Sequence, residues 1–541
     1  MDHLDALKIL EAELDKYYLN FDAIRFSPES ILPHLYLIVD FRSLRVMDNG
    51  FSRNEYFLTH ESHRALYDAL DQAVLWIKDA KGTKHFAGKP SEIKSLQLFF
   101  QHAYDYRNLV DIHWDAYNGL CNVECDLPKK TARFFYAPEH DKKVLDISLV
   151  SFQDTNRELD FNGADKQPAS LISWVSSNLL FTDGYFASVQ GSALSEASEY
   201  FFRIRPSDLP GHWQLMEQYT IEQARKIYVA WELIAAKYLS ILQSRQPQET
   251  FSILKRQTLI DFAAKVTSIS TECVAAFLTD MTYGNDVKKP TVWLQPFLQL
   301  DEESMLMQCG MINLASHERN ITKLVSRMET KKKSYDRLKN QKESLFIDEI
   351  KDELGSIGWR FAEGIKVPKK DDHKATDIDL LIWTDEGEES AILELKWPIP
   401  VDEISEILAA DKEMEKGCLQ VRAAVNWIEN YPEEVADKIR GELAAKNLKY
   451  VHGFVLNYSS YPSHLVNPSD VVVGSYTMFK KALNEAEDTS FKALFEEMQK
   501  GPNPDRGEVG EDQTEFHDVK IGDLTYICPT VTPKNEEVPE Q

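Results

Sequence analysis

Asp377, Asp379, Glu394 and Lys396 stand within one twenty-residue stretch, three acids and one base in apolar surroundings. The stretch reads TDIDLLIW, then a turn-like TDEGEES, then AILELKW. Two apolar runs joined by a short polar loop predict a β-hairpin. Alternate side chains of a strand share a face, so Asp377 and Asp379 are expected to point the same way. Glu394 and Lys396 do the same on the second strand. Ile378, Leu380 and Ile382 are expected on the opposite face, as are Ala391, Leu393 and Leu395. Carboxylates beside an apolar sheet are costly unless they pair or bind a metal. Acids of this kind suit a hard divalent cation, and a lysine beside them suits negative charge developing on a reacting group.

Other elements must hold that hairpin in place. Before it, ESLFIDEIKDELGSIGW puts Phe346, Ile347, Ile350, Leu354 and Ile357 on one helical stripe. Glu343 falls near the middle of that stripe, Glu353 at its edge and Glu349 further off. Gly355 and Gly358 are expected to end the helix, and IKVPKKDDHKA reads as a lysine-rich loop. After the hairpin, 402–430 reads as one helix or two. Leu448–Tyr458 and Asp470–Tyr476 read as strands, and Met478–Ala486 begins a further helix.

Asp379, followed fifteen positions later by Glu394-Leu395-Lys396, resembles the signature of the PD-(D/E)xK nuclease superfamily. The resemblance covers roughly 343–486. It implies an α/β fold, a restriction-endonuclease-like mixed sheet flanked by helices. It implies Mg²⁺, with Mn²⁺ as a substitute, bound by Asp379, Glu394 and the backbone carbonyl of Leu395. Asp377 and Glu343 are further candidate ligands, with Glu349 and Glu353 as alternatives to Glu343. Lys396 would orient or deprotonate the attacking water, with a pKa lowered by the bound cation. Gln420, on the next helix, resembles the helical Gln of several members and would contact a water or phosphate. The usual Pro before the first Asp is replaced by Ala375-Thr376, and Trp397-Pro398 should end the second strand at once. The function implied is a metal-dependent endonuclease, DNA favoured as substrate, with a microbial anti-phage defence effector as the closest analogy.

Two rivals remain. Gly355-Ser356 before Asp377-Ile378-Asp379 resembles a polymerase-β-type nucleotidyltransferase, although the spacing is long and Glu394 and Lys396 have no role there. A catalytically inactive nuclease-like scaffold that binds nucleic acid or senses a partner is the other.

The rest of the chain supplies context. At 541 residues and 43% apolar, two or three domains with real cores are expected. Residues 1–318 read as a helix-rich α+β region for recognition, sensing or assembly, through which a homo-oligomer or a partner protein could form. In it, His34–Met47 reads as a strand or hairpin. Helices are expected near 60–80, 92–107, 168–181, 213–243 and 252–281. Strands are expected at Ala132–Tyr136 and Val144–Phe152, with a strand pair at Thr291–Leu300 and Ser304–Gln308. Residues 319–342 read as an exposed basic linking helix, which could rim a nucleic-acid groove. Residues 487–541 read as a largely flexible acidic tail that restrains non-specific cleavage, with one strand near 519–531. The net charge of −26 argues against a basic coat but leaves room for a basic groove. The first residues are not a secretory signal, and no apolar run is long enough to span a bilayer, so a cytoplasmic protein is expected. Cys121 and Cys125 lack a second pair at zinc spacing, and the six cysteines read as free thiols in a reducing compartment.

Overall fold

The computed structural model describes residues 2–47, 53–119, 121–135, 179–182, 185–188, 193–203, 207, 209–244, 253–314, 317–356, 359–369, 375–383, 389–398, 404–439, 450–458, 470–485, 490–499 and 513–532. These form two compact units divided after Tyr335, and the hairpin at 513–532 belongs to the first. The fold is α/β. The strand expected at Val144–Phe152 lies outside the described residues.

The first unit begins with α1 (His3–Leu14), α2 (Pro28–Met47), α3 (Arg53–Ala80) and α4 (Pro90–Tyr117). Helix α2 overturns the strand expected over His34–Met47. Its buried side chains come in pairs, Leu35 and Tyr36, Val39 and Asp40, Ser43 and Leu44, which is the helical period. The β-rich composition misled; the spacing of apolar residues decided. Strands β1 (Asn122–Asp126) and β2 (Thr131–Phe135) pair antiparallel. Strands β3 (Leu179–Thr182) and β4 (Tyr185–Ser188) follow, where the end of a helix was expected.

Helix α5 (Ala193–Arg203) leads to α6 (Ile221–Gln243). The latter starts eight residues later than expected because Thr220 and Gln223 cap one another there, through contacts of 3.3 and 2.9 Å. The helix expected over 252–281 is three elements, β5 (Ile253–Lys255), α7 (Arg256–Thr267) and α8 (Thr271–Asp280). Ser268, at φ 58°, ends α7, and Ser270 accepts from the Cys273 N–H to start α8. Strands β6 (Phe297–Gln299) and β7 (Ser304–Met307) pair as expected, and β5 joins them. Helices α9 (Cys309–Leu314) and α10 (His317–Arg327) complete this part. Helix α10 corrects the exposed linking helix: Ile321, Leu324 and Val325 are buried. The basic run 319–342 is split between it and α11 (Lys332–Ser356).

The second unit is layered around a five-stranded sheet of β8 (Arg360–Val367), β9 (Thr376–Trp383), β10 (Glu389–Lys396), β11 (Tyr450–Asn457) and β12 (Val472–Ser475), in spatial order 12-11-10-9-8. Strands β8, β9 and β10 are antiparallel neighbours; β10, β11 and β12 are parallel. Strand β8 was read as loop, because an edge strand with Arg360, Glu363 and Lys366 exposed shows no apolar alternation. Helix α12 (Ile404–Asn430) covers one face, where Met414, Cys418 and Val421 pack with Ile378, Ile392 and Val455. Helix α13 (Pro432–Lys438) follows it. Helices α11, α14 (Tyr476–Glu485) and α15 (Phe491–Gln499) cover the other face, where Phe346, Ile350, Phe479 and Phe491 pack with Leu380, Leu393 and Phe454.

Gly453 of β11 lets α12 sit close. A Cβ there would lie 2.5 Å from Val421 Cγ1. Gly453→Val is therefore expected to lower stability by about 1–3 kcal/mol through overpacking, read as a lower melting temperature. An unchanged midpoint would show that α12 yields freely.

The expected tail is structured over two stretches. Helix α15 buries Phe491, Leu494 and Met498 in the second unit. Beyond it, β13 (Gln513–Ile521) and β14 (Leu524–Thr532) form a hairpin around Gly522, at φ +64°. Strand β14 pairs in parallel with β2, extending the sheet to the order 1-2-14-13. Ile521, Leu524, Tyr526 and Cys528 share a core with Leu7, Leu10, Ile112 and Phe134. Truncation after residue 511 is thus expected to expose that core and destabilise the first unit, rather than only to free the site. Melting of the truncated chain at the parental temperature would contradict this. Among the described residues no helix is long and apolar enough to cross a membrane.

Candidate active site

Glu394 and Lys396 project from the end of β10 beneath α12. Gly417 of α12 faces them: a Cβ on it would lie 3.4 Å from Glu394 Cγ and 3.0 Å from Val455 Cγ1. Glu394 is 2% exposed. Its Oε1 accepts a hydrogen bond of 2.5 Å from Lys396 Nζ.

Asp379 reaches the same place by a break in its strand. Ile378 packs with the α12 face, yet Leu380 and Ile382 pack on the opposite face and Leu381 returns to the first. The expectation that Ile378, Leu380 and Ile382 share one face is corrected. Alternation slips at Asp379, beside Gly364 of β8, whose φ of +63° no ordinary strand residue adopts. The paired register of β9 with β10 stops at Leu380 and Leu393. Past that point the Asp379 carboxylate bridges the strands, with Oδ2 accepting from the Leu395 N–H at 2.7 Å.

The remaining candidates divide. Asp377 sits at the rim, half-exposed, accepting from Lys366 Nζ at 2.6 Å. Glu343 is exposed on α11, close enough that its charge raises the pKa of Asp379. Glu349 accepts from the Tyr458 hydroxyl, and the charge of Glu353 acts on Tyr476, so both belong to a different neighbourhood. Gln420 donates to Thr376 Oγ1 at 3.2 Å, and its buried Oε1 has no partner among the described residues. Two residues were missed. Glu413, seven positions before Gln420 on α12, is close enough for its charge to act on Lys396; two helical turns separate it from Gln420, which was the available signal. Asn457, in register with Lys396, is the other.

The electrostatics are those of crowded acids. Burial, then the charge of Asp379, pushes Glu394 up to about 7. Burial raises Asp379 to about 6, against the pull of the Leu395 N–H and Lys396. Burial alone would lower Lys396, but Glu394 and Asp379 outweigh it and hold the ammonium above its usual value. In the metal-free state Lys396 is an ammonium rather than a base; the lowering expected from sequence belongs to the metal-bound state.

Among the described residues no three His, Cys, Asp or Glu side chains converge on a point that could hold a metal ion. The donors brought together are the carboxylates of Asp379 and Glu394. They fit Mg²⁺, which keeps several waters and needs few protein ligands. A buried Glu394 raised by burial and by the Asp379 charge, beside a half-buried Asp379 raised by burial, has a need for positive charge that a cation would supply. Zinc at Cys121 and Cys125 has no such support, since burial pushes those thiols up to about 12 and about 11. Gly355-Ser356 closes α11, and a helical rise of 1.5 Å per residue puts it roughly 20 Å along the helix from Glu343. That separates it from the acids that a nucleotidyltransferase would need beside it.

No protein-family model, curated protein or solved structure matches this chain.

Proposed function

We propose that the second unit hydrolyses phosphodiester bonds of nucleic acid with a divalent metal, as an endonuclease of the PD-(D/E)xK kind with DNA as the favoured substrate. The observation that carries this is the meeting of Asp379, Glu394 and Lys396 at one end of the sheet, a buried and a half-buried acid with raised pKa values and a paired ammonium. The order of elements supports it: a helix, three antiparallel strands, a helix, then a parallel strand beside the third. That is the arrangement expected of a restriction-endonuclease-like core. The first unit would recognise substrate, sense a trigger or mediate assembly, as in a defence effector.

Asp379, Glu394 and the Leu395 carbonyl would hold Mg²⁺. When bound, the ion would polarise the phosphate and lower the pKa of a coordinated water. Lys396 would donate to a non-bridging phosphate oxygen and stabilise the charge that builds there. Gln420 Oε1 would accept from a water at the edge of the site. The rim lysine Lys366 would meet the backbone of the substrate.

Incubating the chain with supercoiled, linear and single-stranded DNA and with RNA, under Mg²⁺, Mn²⁺ or chelator, tests the reading. Metal-dependent cleavage of at least one form is expected. Transfer of a labelled nucleotide without cleavage would replace it with the nucleotidyltransferase reading, and binding without either reaction would leave the scaffold.

A further inference from the structure

Lys396 closes β10 and Asn457 closes β11, and the two residues are directly in register on parallel strands. Such strands lie ~4.8 Å apart, with in-register side chains leaving on the same face. Two residues earlier on each strand, Glu394 and Val455 both lie against Gly417, so this is the face beneath α12. The two strand ends are locked together. The Tyr458 N–H donates to the Lys396 carbonyl at 2.9 Å, and the rings of Trp397 and Tyr458 stack with centroids 3.5 Å apart.

Asn457 is 2% exposed, and among the described residues neither its Oδ1 nor its Nδ2 has a hydrogen-bond partner. A buried, unpaired carboxamide carries a desolvation cost that Leu at this position would avoid. Its amide is therefore open to a partner in another state of the site. Lys396 is the group within reach. In the present state its ammonium is held by Glu394. A cation on Glu394 would compete for the same carboxylate and repel the ammonium beside it.

We propose that Asn457 is a positioning residue that receives Lys396: when Glu394 takes the metal, the ammonium moves one strand across and donates to Asn457 Oδ1. Nδ2–H then remains to donate to a water or a phosphate oxygen. The proposal rests on the metal-dependent reading of this site. It gives Glu394 a way to release its lysine without stranding a charge, and it couples Asn457 to metal affinity as well as to rate.

Mn²⁺ titration of the full chain, followed by electron paramagnetic resonance or calorimetry, tests it alongside Mg²⁺-dependent cleavage. Asn457→Leu removes the acceptor at similar volume, and Asn457→Asp keeps an acceptor. Losing one charge-assisted hydrogen bond in the loaded state should weaken Mn²⁺ binding about tenfold in the Leu variant. Cleavage by that variant should fall by kcat, with KM for nucleic acid unchanged. Its melting temperature in chelator should match or exceed the parent. The Asp variant should keep Mn²⁺ affinity within about threefold of the parent. Parental Mn²⁺ affinity in the Leu variant, or equal weakening in both variants, overturns the proposal. Should the Leu variant melt low in chelator, the Asp variant alone decides on the same criterion. A parent chain that binds no Mn²⁺ and cleaves nothing sinks the nuclease reading and this proposal together. A parent that binds and cleaves while the Leu variant behaves identically sinks only the role of Asn457.

Discussion

Glu394→Gln is expected to abolish metal-dependent cleavage and, at the same time, to stabilise the protein at alkaline pH. The activity loss follows from removing one of the two carboxylates proposed to hold the metal. The stability gain follows from burial. Glu394 is raised from 4.5 to about 7 in the folded chain. Between those values the folded state holds more protons on this group than the unfolded state does. Stability therefore falls as pH rises through that window, and the full cost is present above it. Asp379, raised from 3.8 to about 6, acts in the same sense. A neutral Gln removes the Glu394 share and can still accept from Lys396. The expected gain at pH 8 in chelator is about 1–2 kcal/mol, below the full value of the shift because the two acids titrate together. The gain should shrink as pH falls toward 5. Thermal melts at both pH values read it directly. A variant less stable than the parent at pH 8 would mean that the Glu394 charge is already well compensated.

Lys396→Met should also lose most cleavage but shift stability the other way. Without the ammonium, transition-state charge on the phosphate loses its nearest donor. A loss of about 10²–10³-fold in kcat is expected, the range for removing one such donor. The side chain is only 19% exposed and pairs with a nearly buried carboxylate. Removing one partner of a buried pair leaves the other uncompensated, and here Glu394 loses the ammonium paired with it. A destabilisation of about 1–3 kcal/mol at pH 8 is expected, smaller where protonation can neutralise Glu394. Opposite stability effects with a shared loss of cleavage would separate a chemical role from misfolding. Melting temperatures that fall together in both variants would point to a structural ion pair instead.

The hairpin of β9 and β10 and the helices α11 and α12 were legible because their apolar residues recur at strand and helix periods. Glu394 and Lys396 share a face for the same reason. The slip at Asp379 was not legible, since it depends on Gly364, a residue on a strand whose polar edge hid it. Helix α2 was obscured by β-branched and aromatic residues that suit either structure. The pairing of β14 with β2 joins segments nearly four hundred positions apart, and no local pattern reports such a contact. Asn457 could have been noticed by counting in twos from Val455, but its missing partners are a property of packing alone.

Whether Asp379, Glu394 and Lys396 form the proposed metal-dependent phosphodiesterase site is decided by nicking of supercoiled plasmid with the purified chain. Parent, Asp379→Asn and Lys396→Met would be compared in Mg²⁺ and in chelator, with melts to confirm folding. Nicking by the parent in Mg²⁺ alone, and none above background by either variant, is the expected result. Nicking that survives chelator, or that either folded variant retains at the parental rate, would contradict it.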